Sequence, residues 1–216
     1  MRNIVAKYDW LKESSWRLDA KYHLSDGRLA KLTIDKCPYK ITALANCTLR
    51  IFNGPRFKRH YVSRNSSGIP FMGSSDMLKA DLNSLKFISV KLTKSIERLK
   101  LKKDWILVSC SGTIGNTVYT TSAHNNIAAS QHIMRIVPDK SQIKPGYLYA
   151  YLSSKYGYAL LTQGTFGAVI QHIEPANIAD LPVPLLSEQK QSEIHNLIIE
   201  ASDLRVEANR LLNNVE

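Results

Sequence analysis

Cysteine is scarce in this chain of 216 residues. There are three, Cys37, Cys47 and Cys110, and none stands in a CxxC spacing. That argues against a disulfide scaffold and a structural zinc site, and the expected compartment is a reducing cytoplasm. No apolar run approaches the roughly 20 residues of a membrane span. The opening Met1-Arg2-Asn3-Ile4-Val5 passes into Lys7, Asp9, Lys12 and Glu13, so no secretory signal is read. The six histidines (His23, His60, His124, His132, His172, His195) show no HExxH or paired spacing, and no metal is expected. Gly112-Thr113-Ile114-Gly115 fits neither a dinucleotide nor a P-loop pattern, and no tetrapeptide of the DPPY or NPPF type occurs. No cofactor is therefore expected. Pro138-Asp139 with Glu188-Gln189-Lys190 comes nearest to a nuclease signature, but its second half falls at a helix start rather than on a strand. Cys110 has no sequence-local base and reads as a buried strand residue. Elimination leaves a binding module rather than an enzyme.

What is present is positive charge, unevenly spread. Lysine and arginine number 29 against 18 acids, for a net charge of +11. Residues 1–186 hold 26 of the bases and 12 of the acids, whereas residues 187–216 hold 3 and 6. A basic body suits a polyanion, because neutralising phosphates releases counterions. The densest stretch is Arg50, Arg56, Lys58, Arg59, His60 and Arg64, with no acid among residues 50–64 and with Phe52, Phe57 and Tyr61 interleaved. Turn residues bracket it, Asn53-Gly54-Pro55 and Asn65-Ser66-Ser67-Gly68. Arginines and aromatics on a loop suit phosphate contact and base stacking. The competing reading is a hairpin with its aromatics in the core and its charges solvated.

Periodicity supplies the elements. Ser25-Asp26-Gly27 is a turn or cap signal. Ile69 to Gly73 reads as a strand before a polar turn, Ser74 to Met77. Residues 86–103 form a second basic group whose spacing puts Lys91, Lys94 and Arg98 on one helical face and Leu92, Ile96 and Leu99 on another. Trp105 to Cys110 and Thr117 to Thr120 predict a hairpin around the glycine turn 111–116. A further strand is expected over His132–Val137, a helix over Gly146–Leu161, and an extended Leu181–Leu185, since proline disfavours helix in the residue before it.

The last thirty residues carry the clearest pattern. Ser187 can cap a helix, and Ile194, Leu197, Ala201, Leu204, Ala208, Leu211 and Val215 are spaced 3-4-3-4-3-4. This is a heptad seam, and a helix of this length extends roughly 45 Å. A period of 3.5 rather than 3.6 favours pairing outside the domain over packing on it.

Several segments, in order, resemble a target-recognition domain of the DNA specificity subunit of type I restriction-modification systems. They are Arg17-Leu18-Asp19-Ala20-Lys21-Tyr22, Ile69 to Met77, Trp105 to Gly115, Tyr147 to Leu152, Gly164 to Ile173, and Leu181-Pro182-Val183-Pro184 with Glu188-Gln189. Each is weak alone; order and spacing make the likeness. It implies an α/β (α+β) recognition domain over residues 1–186 and a long coiled-coil-forming helix over 187–216. It further implies binding of double-stranded DNA at one half of a split site, guidance of an adenine N6-methyltransferase subunit, and no catalysis. A complete subunit of that family carries two recognition domains and two helices, so one of each here means a half-subunit acting as a homodimer or part of a longer chain. In either case the seam Ile194–Val215 is expected to carry assembly. Arg50, Arg56, Lys58, Arg59 and Arg64 are expected on phosphates, with one or two reaching guanine. Ser74, Ser75, Asp76, Thr113, Asn116, Gln163, Thr165 and Gln171 are expected near base edges, while Gly112, Gly115, Gly164 and Gly167 are conformational. The alternatives are a protein-interaction module or regulator of a modification complex without DNA readout, and a cryptic nuclease or methyltransferase fragment.

Overall fold

The computed structural model describes residues 5, 7–13, 16, 18, 23–163 and 172–213. Its elements, in chain order, begin with helices α1 (Tyr8–Glu13) and α2 (Asp26–Ile34). Strands β1 (Lys40–Ala43), β2 (Thr48–Asn53), β3 (Tyr61–Val62), β4 (Gly68–Met72), β5 (Lys86–Ser89), β6 (Ile106–Ser109), β7 (Thr117–Tyr119), β8 (Ala128–Ala129) and β9 (Ile133–Pro138) follow. Helices α3 (Pro145–Ser153), α4 (Lys155–Thr162) and α5 (Pro175–Ile178), strand β10 (Pro182–Leu185) and helix α6 (Glu188–Asn213) complete the fold.

Among the described residues the strands form three sheets, ordered β1-β10, β2-β9-β6-β7 and β3-β5-β4-β8. The second of these is antiparallel and central, and both of its faces are covered. Alternation along β6 and β9 sends Ile106, Val108, Met134 and Ile136 into a core shared with α2, α3 and α4. The residues between them face the other way, where Leu107 and Ile133 meet Met72, Met77 and Leu101. Strands buried on both faces read as continuous apolar runs, which is why Trp105–Cys110 was legible. The β1–β10 ribbon tolerates Pro182 and Pro184 because a two-stranded ribbon leaves room for a missing N–H. Tyr147 and Tyr151 donate their hydroxyls to the carbonyls of Pro184 and Pro182, tying α3 to the ribbon.

Local signals explain the helix boundaries. Ser25 caps α2, its Oγ accepting the Arg28 N–H at 3.1 Å. The helix expected over 146–161 is two helices, α3 and α4. Ser154 breaks it in extended backbone and caps α4 through the Gly157 N–H. Ser187 Oγ accepts the Lys190 N–H at 3.4 Å at the start of α6. The helical reading of residues 86–103 is overturned. Lys86–Ser89 is a strand paired on both sides, and the rest is turns with a single 3-10 turn at Ile96–Arg98. Pairing with β3 and β4 claimed the backbone of Lys86–Ser89, and Leu92 of the supposed apolar face is exposed.

Helix α6 does two things. Its first turns lie on α3. Gln191 accepts the Lys144 N–H through Oε1, and His195 Nδ1 accepts the Gly146 N–H at 3.0 Å. Ile194, Ile198 and Ile199 join the main core from one side. The expectation of a helix that stands clear of its own domain is therefore corrected for this half: it is packed, and Ile194 packs with it. Farther along, Asn209 Nδ2 donates to the Ala80 carbonyl at 2.7 Å, so the helix also touches the loop after β4. No helix among the described residues is long and apolar enough to cross a membrane.

Candidate nucleic-acid interface

Four strands of the central sheet present their ends together. The registers Asn53↔Met134, Ser109↔Ile133 and Val108↔Thr117 put the end of β2, the end of β6, the start of β7 and the start of β9 at one edge. The chain segments that leave or enter there are residues 54–60, 110–116 and 130–132. Residues 172–174 join them, because Ser111 forms an antiparallel bridge with His172.

The basic loop after β2 supplies cations. Arg56, Lys58 and Arg59 are exposed on it, while Phe57 turns inward onto Phe71 with ring centroids 5.8 Å apart. Phe52 packs edge-on against Trp105. These two aromatics thus serve packing rather than stacking on a base. The Arg59 guanidinium lies 5.1 Å above the Phe71 ring, and its Nη2 donates to Ser130 Oγ at 3.4 Å. An arginine held over a ring keeps its charge outward at a small entropy cost.

Polar side chains stand beside those cations. His132 Nδ1 and Ser111 Oγ are 2.7 Å apart, and Gln131 Nε2 is 3.1 Å from His132 Nε2. Glu174 pairs with His172 at 2.9 Å and accepts from Asn53 Nδ2 at 3.3 Å. Burial first, then the charges of Arg59, His172 and Arg56, hold His132 below the usual histidine range. A serine touching a histidine invites comparison with a nucleophile and its base. The second ring nitrogen faces a glutamine amide instead of a carboxylate, and the surrounding charges oppose formation of imidazolium. This is a poor general base and a good neutral hydrogen-bonding array. Burial and Glu174 push the Cys110 thiol up to about 11, which leaves it inert. Among the described residues no group of three or more His, Cys, Asp or Glu is placed to hold a metal ion.

The residues expected to face DNA divide by position. Arg56, Lys58, Arg59, Thr113 and Asn116 lie at this edge. Ser74, Ser75 and Asp76 are brought alongside, since Ser130 N–H donates to the Met72 carbonyl just before their turn. Asp76 is occupied there, accepting the Gly73 N–H and pairing with Lys79 at 2.7 Å. Asn116 is also partly occupied, its Nδ2 reaching the Thr113 carbonyl. Gln163 ends α4, whose Thr162 touches Gly115 of the glycine turn. Arg50 lies mid-strand on β2, opposite Val137 and over the Phe52 ring, away from the edge. Arg64 lies in the turn between β3 and β4, where it donates to the Asn83 carbonyl. Thr165, Gln171, Gly164 and Gly167 lie outside the described residues, as does Val215 of the seam. Gln131, His132, Ser111, Ser130 and His172 were missed by the sequence reading. The available signal was the polar run Ser130-Gln131-His132 directly before an apolar strand.

The edge joins exposed cations to neutral hydrogen-bonding side chains, the groups that a polyanion presenting phosphates would meet. Over residues 41–213 the chain matches the family described as type I restriction modification DNA specificity domain, and it belongs to that family. It is 29% identical over 116 residues to the Type I restriction enzyme EcoBI specificity subunit of Escherichia coli, covering 54% of this chain and 24% of that protein. Its fold is similar to the S subunit of a type I restriction-modification system from M. genitalium, with a TM-score of 0.58 and 16% identity, over 84% of this chain and 43% of that one. It is similar also to a chain from a structure of complex assembly and conformational transition of the type I R-M system. There the TM-score is 0.54 and the identity 13%, over 88% of this chain and 48% of that one. The chain thus spans about a quarter of the curated relative and less than half of the solved chains.

Proposed function

We propose that this chain binds double-stranded DNA sequence-specifically and without catalysis, reading one half of a bipartite site and directing an adenine N6-methyltransferase subunit, and with it a type I nuclease, to that site. We further propose that residues 1–186 form the recognition domain and residues 187–216 the assembly helix. The observation that carries the reading is the convergence of Arg56, Lys58 and Arg59 with the neutral array of Gln131, His132 and Ser111 at one sheet edge. Cations grip phosphates and fix register, while uncharged donors and acceptors discriminate bases. The family match supports the same reading.

A homodimer is proposed through the exposed part of the seam. Leu197, Leu204 and Leu211 lie seven residues apart and are 65%, 64% and 52% exposed. The test combines solution mass by light scattering with enrichment from random duplexes. A dimer enriching a split symmetric site is the expected result. A chain that joins a methyltransferase complex yet enriches nothing, even at low salt, would instead be an interaction module.

A further inference from the structure

We infer that Gln131 is a base-edge reader of this interface, matched to adenine, and that His132 is the residue that positions it. The inference rests on the proposed DNA-binding reading.

The segment 130–132 is wrapped around a buried cation. Arg135 is fully buried on the face of β9 toward the β3-β5-β4-β8 sheet. Its Nη1 donates to the carbonyls of Ser130 and Ile133, and its Nη2 to those of Ala129 and Leu99. Four carbonyls drawn onto one guanidinium fix the backbone on both sides of Gln131 and His132. The main chain of His132 is held as well: its N–H donates to Ser130 Oγ at 3.2 Å, and its carbonyl accepts the Cys110 N–H at 3.1 Å. Gly54 completes the floor, since a Cβ there would stand 2.9 Å from Arg135 Nη1.

A chain of hydrogen bonds then sets the two side chains. Arg59 donates to Ser130 Oγ, and Ser130 Oγ donates to Gln131 Oε1. Gln131 Nε2 donates to His132 Nε2, which requires the ring proton on Nδ1, where it is donated to Ser111 Oγ. Both ring nitrogens are thereby used. The Gln131 amide is not exhausted: it retains one N–H and one carbonyl lone pair. One donor beside one acceptor in a plane is the complement of adenine N7 and N6–H in the major groove. Gln131 is half-buried, and its two hydrogen-bonding neighbours are Ser130, which Arg59 contacts, and His132, which Ser111 contacts. No loosely held glutamine on a surface loop would be oriented in this way.

The test is enrichment of random duplexes by the full chain, comparing wild type with Gln131→Ala, Gln131→Glu, His132→Ala and His132→Gln, each checked for an unchanged melting temperature. One adenine position should lose its preference in Gln131→Ala, by about 10- to 100-fold, while the other positions and the salt slope stay. Gln131→Glu should move that position toward cytosine, whose N4 amine donates to a carboxylate. His132→Ala should blunt the same position and His132→Gln, which keeps a partner for the amide, should restore it. An unchanged site in Gln131→Ala, or a loss spread over every position, overturns the inference and leaves DNA reading standing. If His132→Gln behaves like His132→Ala, the positioning role is overturned. A wild-type chain without salt-dependent duplex binding overturns the proposed function itself.

Discussion

Arg135 is the largest fully buried side chain among the described residues, and its guanidinium is held by main-chain carbonyls. Burial pulls its pKa down to about 10, so it remains charged at neutral pH. Removing it would take a donor from four buried carbonyls, of which only those of Leu99 and Ser130 are also given a loop backbone donor, the Ala129 and Ile133 N–H groups. Arg135→Met should therefore cost about 3 kcal/mol or more in urea unfolding, and Arg135→Lys should fail to rescue because an ammonium lacks the planar fork. His124 gives a second expectation. It is buried, and desolvation pushes its pKa down to about 4. A histidine depressed from about 6.5 holds fewer protons folded than unfolded, so its contribution is full above pH 6.5 and is lost as pH falls toward 4. The loss should be on the order of 3 kcal/mol. His132 and His195 are shifted in the same direction. Melting temperature should fall across this window, and His124→Asn, which keeps an acceptor for the Thr121 N–H, should flatten the fall.

The long helix shows how an element can serve two surfaces. Gln191, His195 and Ile198 face the domain, whereas Leu197, Leu204 and Leu211 face outward about a third of a turn or more away. Substitution should separate the two roles. Leu204→Asp with Leu211→Asp should weaken self-association at least about 100-fold by light scattering while leaving the melting temperature in place. Ile198→Asp should lower the melting temperature instead. The heptad spacing was legible because helix periodicity is local. Which side of the helix met the domain was not, because Ile194 and Leu197 look alike in a sequence and only the position of α3 distinguishes them. Residues 86–103 failed for the same reason in reverse. A helical spacing was present, but pairing with β3 and β4 fixed Lys86–Ser89 as a strand, and non-local contacts override propensity.

For the molecule as a whole, charge placement predicts how binding responds to salt. Each phosphate contact contributes about 0.9 to the slope of log affinity against log salt. Replacing Arg56, Lys58 and Arg59 with alanine should reduce that slope by about 2 to 3 in a fluorescence titration. Lys140→Ala should leave it unchanged, because Lys140 follows the far end of β9, about 20 Å from His132, and pairs with Asp104. A slope indifferent to the triple substitution would remove this edge from the DNA contact. The basic loop, the buried central hairpin, the extended prolines of β10 and the heptad helix are legible in the chain alone, because charge density, alternation and periodicity reside in neighbouring residues. That Arg56 and Arg59 stand with Gln131 and His132 while Arg50 and Arg64 stand apart follows from the folded arrangement. So does the burial of Arg135 as a support rather than a surface charge. Those facts depend on strand register between segments up to about eighty residues apart, which no local pattern encodes.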